Sequence, residues 1–186
     1  MTELGTIVDA HTVRFERLLP GPVERVWEFI TEPGHLAAWL ADASVEARAG
    51  GQVRLRFDVS EAPEPDDAAG VILGTITRWE PPRLVAYTWM APADEAASVE
   101  GMPQPEVTFE LSEQGTRVRL VLTHRALPTS AMPKFCAGWH THLAALASRL
   151  AGAPPAPFLP AFRSMLPEYE RRAIPAHRAR TATGAP

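Results

Sequence analysis

Six histidines and one cysteine are the side chains of this chain best suited to chemistry near neutral pH. A metal site is the first possibility to test. His140 and His142 are two apart on a helical segment, which places them about 200° apart around the axis, on opposite rims of its apolar stripe. They cannot chelate one ion, and no HExxH, CxxC or carboxylate cluster supplies other ligands. No metal and no cofactor is expected. No nucleophile stands out either: G-x-S-x-G is absent, and Cys136 has no evident basic neighbour to lower its pKa. Gly50-Gly51 and Gly70 to Gly74 do not open helices, so they are turn and bend glycines and not a phosphate loop.

His124 is the more informative histidine. It shares the parity of Val118, Leu120 and Leu122 and so points to the inner face near the end of its strand. Two readings stand: a histidine bonded to a neighbouring carbonyl, or a polar point that fixes a ligand, with His140 on the facing helix rim. A neutral imidazole both donates and accepts, which suits a carbonyl or hydroxyl; an acid–base role needs a substrate within reach. Phe57, Tyr87, Trp89, Phe109 and Trp139 come from several strands and one helix and are placed inward with it. They either fill a core or line an apolar cavity whose sparse polar points are the Tyr87 hydroxyl and His124, the usual make-up of a small-molecule site. The candidate ligand-binding residues are therefore Phe57, Tyr87, Trp89, Phe109, His124, Trp139, His140 and Leu143.

These residues need a frame, and Ser130 to Gly152 supplies its axis. At about 100° per residue Met132, Phe135, Cys136, Trp139, Leu143, Leu146, Ala147 and Leu150 form one broad stripe. Ser130 can cap the first turn, Pro133 is tolerated there, and Gly152 followed by Pro154-Pro155 ends the helix. A stripe this wide needs a concave apolar surface. Thr12–Leu19, Ala43–Arg48, Gln52–Val59, Gly70–Trp79, Leu84–Met90, Pro105–Ser112 and Thr116–His124 read as strands. Between the first and second, Val23, Val26, Trp27 and Ile30 at i, i+3, i+4 and i+7 mark a helix, and His35–Leu40 a shorter one. Gly74 marks a bend or a close approach. Consecutive strands with helices on one face predict an α+β fold.

The acidic segments 60–69 and 91–104 read as solvated loops. After Gly152 comes a proline-rich linker, then Phe158, Phe162, Met165, Leu166 and Tyr169 at helical spacing, interrupted by Pro160 and Pro167. This second amphipathic helix either packs on the domain or a second subunit, or lids a cavity mouth. Arg171, Arg172, Arg178 and Arg180 read as a disordered, solvated end. The division is thus a domain over 12–151 and an appendage over 152–186.

A net charge of −4 offers no electrostatic case for nucleic acid. With 46% hydrophobic and 22% charged residues the composition is that of an ordinary globular chain. No segment has the ~20 consecutive apolar residues that cross a bilayer, and the N-terminus lacks the basic-then-apolar pattern of a signal peptide. A cytoplasmic protein without membrane association is expected; whether it is a monomer or a homodimer is open.

The segments VRFERLLPGPVERVWEFITEPGHLAAWL, GTITRWEPPRLVAYTW, VTFELSEQGTRVRLVLTH and GWHTHLAALASRL resemble the Hsp90-ATPase-activator-homologue-1-like branch of the START/Bet v 1 (SRPBCC) superfamily. The most specific features are Val26-Trp27 after the strand–Pro–helix junction, Trp39, the Pro-Pro-Arg-Leu turn before Tyr87-Thr88-Trp89, Thr123-His124, and Trp139. The resemblance spans Val13 to about Leu150 and implies a helix-grip fold: a seven-stranded curved antiparallel sheet around a long C-terminal helix, with an apolar cavity between them. No catalytic motif is shared across the superfamily, so the resemblance implies a site location and not a chemistry. The expectation is non-catalytic binding of a small hydrophobic or aromatic molecule, with the acidic loops and last helix bordering the mouth. Two other classes stay open: a cyclase/aromatase-type enzyme using His124 or His140 as acid or base, and a co-chaperone-like module that binds a protein partner.

Overall fold

The structure, a computed structural model, describes residues 4–58, 70–91 and 103–181, with side chains to residue 173. Eight strands form one antiparallel sheet: β1 (Thr6–Asp9), β2 (Thr12–Pro20), β3 (Asp42–Val45), β4 (Gln52–Arg56), β5 (Val71–Glu80), β6 (Leu84–Thr88), β7 (Glu106–Gln114) and β8 (Arg117–Arg125). Their order is β1-β2-β8-β7-β6-β5-β4-β3. Two helices follow β2, α1 (Val23–Thr31) and α2 (Pro33–Leu36); the chain ends in α3 (Met132–Leu150) and α4 (Phe158–Thr181). The fold is α+β, a curved sheet gripping α3.

The strand expectations hold in kind, with small differences at the ends. Alternation follows burial closely: Val107, Phe109 and Leu111 of β7 and Val118, Leu120 and Leu122 of β8 all face the core. Gly115, at φ 63, closes their hairpin in a conformation other residues rarely adopt. Gly74 marks a close approach, since a Cβ there would lie 2.1 Å from the Thr88 carbonyl oxygen. Val59 and the acidic loop segments, apart from Ala91, Pro103 and Gln104, lie outside the described residues.

Four expectations need correction. The sheet has eight strands and not seven, because Thr6–Asp9 pairs with β2. That strand is short and mostly exposed, so no burial alternation marks it in the sequence. Ser130 does not cap α3; a 3-10 turn over Thr129–Ala131 precedes the helix, and its N-cap, Ala131, makes no side-chain bond. A missing cap costs about 1 kcal/mol. Burying even one of Leu143, Leu146 and Leu150 contributes about 1.5–3 kcal/mol, so packing decides where this helix forms. Pro160 and Pro167 do not interrupt α4, which runs continuously across both. Pro160 falls in the first turn, where its missing N–H has no intrahelical partner to lose. The expected disordered basic end is helical instead: Arg171, Arg172, Arg178 and Arg180 all fall within α4, and Arg171 and Arg172 pair with Glu168.

The appendage is tied to the domain. Tyr169 is fully buried, and its hydroxyl accepts a hydrogen bond from the Gly5 backbone N–H at 2.8 Å. The same hydroxyl is hydrogen-bonded to Nδ1 of His140 at 3.2 Å. One phenol thus joins α4, α3 and the N-terminal segment. Replacing it, Tyr169→Phe, keeps the ring but leaves two buried groups unpaired. Chemical denaturation should show a loss of about 1–3 kcal/mol. A change below about 0.5 kcal/mol, the range of a neutral surface substitution, would mean that Tyr169 only fills space.

Candidate functional site

The site is built outward from β8. His124 lies between Val13 of β2 and Val107 of β7 in the register of the sheet, and its residue exposure is 0%. Trp139 faces it from α3, and the indole Nε1–H donates to His124 Nδ1 at 3.0 Å. An indole nitrogen only donates, so Nδ1 is the acceptor and the neutral ring carries its proton on Nε2. That Nε2 is buried and has no hydrogen-bond partner among the described residues. Phe135 and Trp89 meet the His124 ring edge-on at 5.2 and 5.3 Å, where an N–H···π contact is second-order against a conventional bond. Burial lowers the His124 pKa to about 3, so the ring is neutral at pH 7.

Around this pair the rings close a circuit. Trp89 lies 5.9 Å from Phe57, Phe57 lies 5.7 Å from His142, and His142 lies 6.3 Å from Trp139. Trp89 and Trp139 meet across it, T-shaped, at 5.2 Å. Tyr87 stacks on Trp89 and on Phe109, and Phe109 stands edge-on to Trp139. Burial raises the Tyr87 pKa, so its phenol keeps its proton. Leu143 is buried one turn along α3 from Trp139, within the same apolar core.

Seven of the eight expected residues therefore belong to one region, six of them in a continuous set of ring contacts. His140 does not join them. It lies on the other rim of α3, held to Tyr169, and burial followed by the Arg17 charge lowers its pKa to about 4. His142 takes the place expected for His140. Its position three residues from Trp139 is the signal that could have found it, because i and i+3 share a helix face. Phe135, a stripe residue outside the candidate set, also contacts His124.

His142 is half-buried, and its Nδ1 lies 3.0 Å from the Trp39 carbonyl oxygen. Burial lowers its pKa to about 4 against the opposing effect of that carbonyl. Phe158, the first residue of α4, stacks on it at 4.6 Å and leads to Phe162 at 5.7 Å. Phe158 is 40% exposed, so the file of rings runs from buried His124 to the surface.

Among the described residues, aromatic side chains themselves fill the space between sheet and helix where an open apolar cavity was expected. A cavity of about 10 Å³ lies to one side, lined by residues including Ile30, Thr31, Trp79, Val85 and Tyr87. It has room for about one water. Among the described residues no group of three or more His, Cys, Asp or Glu is placed to hold a metal. Burial pushes the Cys136 thiol up to about 12, which leaves it unreactive at neutral pH.

The low pKa of His124 is a stability statement. The unfolded ring takes up a proton below its ordinary value near 6.5, and the folded one does so only near 3. The unfolded state thus binds more protons in that window, so the contribution is complete above about pH 6.5 and is lost as pH falls toward 3. Denaturant midpoints measured between pH 7 and 4 should fall steeply, and His124→Gln should flatten the slope. An unchanged slope in the variant would show that His124 is not a neutral buried ring.

The comparisons with known proteins agree with this architecture. Residues 20–151 match the family described as Activator of Hsp90 ATPase homolog 1-like protein. A Bordetella parapertussis protein solved by solution NMR is 38% identical with a TM-score of 0.69, covering 92% of this chain and 94% of its own. CalU16 from Micromonospora echinospora is 23% identical with a TM-score of 0.66, covering 87% of this chain and 88% of its own. The Aha1 dimer of Colwellia psychrerythraea is 18% identical with a TM-score of 0.58, covering 75% and 95%, and like CalU16 it supports the fold alone. No curated protein matches. Among the described residues no helix is long and apolar enough to cross a membrane. With its family match over most of the domain and a helix-grip sheet closed on α3, this chain belongs to the Activator of Hsp90 ATPase homolog 1-like family.

Proposed function

We propose that the aromatic cluster between sheet and α3 is a binding site for a small, flat, hydrophobic molecule carrying a hydrogen-bond acceptor. The observation that carries this reading is the Nε2–H of His124, buried and unpartnered within a circuit of aromatic rings. An unsatisfied buried donor costs about 1–3 kcal/mol, and a ligand carbonyl or ether oxygen would remove that cost while its rings take up the faces of Trp89 and Trp139. The closed interior means that binding separates these rings. The file through Phe57, His142 and Phe158 is the path to solvent, and the exposed linker before Phe158 lets the start of α4 act as the lid over it.

Binding is favoured over acid–base catalysis by the electrostatics of the same residue. A histidine whose conjugate acid has a pKa of about 3 is a poor general base at neutral pH, whereas its N–H remains a good donor. His140, the other histidine considered for that role, is engaged with Tyr169 on the far rim.

Titration of the intact protein with flavone and with naphthol, read by quenching of tryptophan fluorescence, should saturate. Trp89→Leu keeps the volume apolar but removes an aromatic wall, and should weaken binding about 3- to 10-fold. Absence of saturable binding by either compound, together with no small molecule retained in native mass spectrometry, would overturn the reading.

A further inference from the structure

Strand β1 and helix α4 are each held mainly by one neighbour, and they meet at one phenol. β1 lies at the sheet edge, pairs with β2, and its register is broken between Ile7 and Asp9. α4 packs principally against α3 and is joined to it by residues 151–157, exposed except for half-buried Pro155. The roots of both elements are fixed. Thr129 Oγ1 donates to the Ala10 carbonyl and the Leu127 N–H to the His11 carbonyl, each at 3.0 Å. On the other side the Ala153 N–H donates to the Ser148 carbonyl at 2.9 Å. What can move lies beyond these bonds: residues 4–9, and α4.

The packing between the two is reciprocal. The Gly5 N–H donates to the Tyr169 hydroxyl at 2.8 Å, and a Cβ on Gly5 would stand 2.3 Å from Cε1 and Cζ of Phe15. The N-terminal backbone thus lies directly on the Phe15 ring, whose centroid is 6.4 Å from that of Tyr169. Both rings are buried. If α4 leaves, the Gly5 N–H loses its acceptor and the Phe15 ring part of its cover. If residues 4–9 leave, Tyr169 loses a donor and the same ring is wetted. Either departure lowers the cost of the other, which is a coupling free energy between segments far apart in sequence.

α4 also seals one face of α3. Tyr169 is bonded to His140, and Cys136, one turn earlier on that face, is fully buried. Arg172 of α4 is near enough to the thiol to oppose the effect of burial on its pKa.

We propose that residues 4–9 and α4 form one clasp, docking and releasing as a unit while the sheet and α3 stay folded, and that the closed clasp covers the Cys136–His140 face of α3. The N-terminal segment is the latch of the helix: displacing Gly5 from the Phe15 ring frees α4. The clasp stands whether or not the aromatic cluster holds a ligand, since His140 and His142 occupy opposite rims of α3.

Native-state hydrogen exchange on the intact protein tests this directly. Carrying Pro160 and Pro167, α4 is a marginal helix once undocked, so its amides report release. The bonded amides of residues 5–9 and of α4 over 162–173 should share one protection factor to within about 3-fold, at least about 10-fold below that of β7 and β8. Cys136, the one cysteine of the chain, gives a second readout: its reaction with DTNB should follow this opening and not global unfolding. Gly5→Ala, which forces the segment off Phe15, should speed that reaction about 10-fold or more and raise exchange along α4, with β8 little changed. Tyr169→Phe should in turn raise exchange at residues 5–9. Wild-type α4 exchanging only together with β8 would overturn the proposal. So would a Gly5→Ala protein that loosens residues 5–9 and leaves α4 and Cys136 as they were. The wild-type measurement needs no variant, so a Gly5→Ala chain that fails to fold does not spare the clasp.

Discussion

One buried hydrogen bond, from the Trp139 indole to Nδ1 of His124, organises the interior of this protein. It is a polar tie between the sheet and the helix it grips. It is made where neither group can reach water, so each would be costly alone and the pair is mutually required. The bond also sets the tautomer of His124, and that tautomer leaves a donor pointing away from Trp139 with no partner. The rings of Trp89, Phe135, Phe109 and Tyr87 pack around this pair, so the feature that unites the two layers is also the feature that gives the cluster its chemistry.

Helix α3 divides its labour by rim. His140 and His142 stand two residues apart, and the helical turn sends them to opposite sides. One meets Tyr169, and through its hydroxyl the N-terminal segment, which makes the C-terminal helix part of the domain. The other reaches the Trp39 carbonyl and the rings of Phe57 and Phe158. Helix α4 therefore has an anchored part around Tyr169 and an outer end at Phe158 that covers the aromatic file.

Membership of the family assigns no chemistry to the space between sheet and helix. Here the local physics narrows it. The same desolvation that makes His124 a weak base preserves it as a neutral donor, and the packing that closes the cavity makes any occupant compete with aromatic contacts already formed. Under the proposed binding reading, a ligand without flat rings or a matched polar atom gives back less than it displaces.

By itself the sequence determined the order of elements, the inward faces of β7 and β8, the gripping stripe of α3 and the inward placement of His124. These follow from local periodicity, where each residue's face is set by its near neighbours. The Phe57, Tyr87, Trp89, Phe109 and Trp139 cluster was legible for the same reason. What only the tertiary structure decided was which histidine joins it. His140 and His142 flank the same stripe and look alike along the chain; their partners, Tyr169 and Trp39, are 29 and 103 residues away. The pairing of β1, the continuity of α4 through its prolines and the closure of the cavity belong to the same class. Each depends on surfaces brought together from distant segments, and a hydrophobic pattern records that a face is buried without recording what it meets.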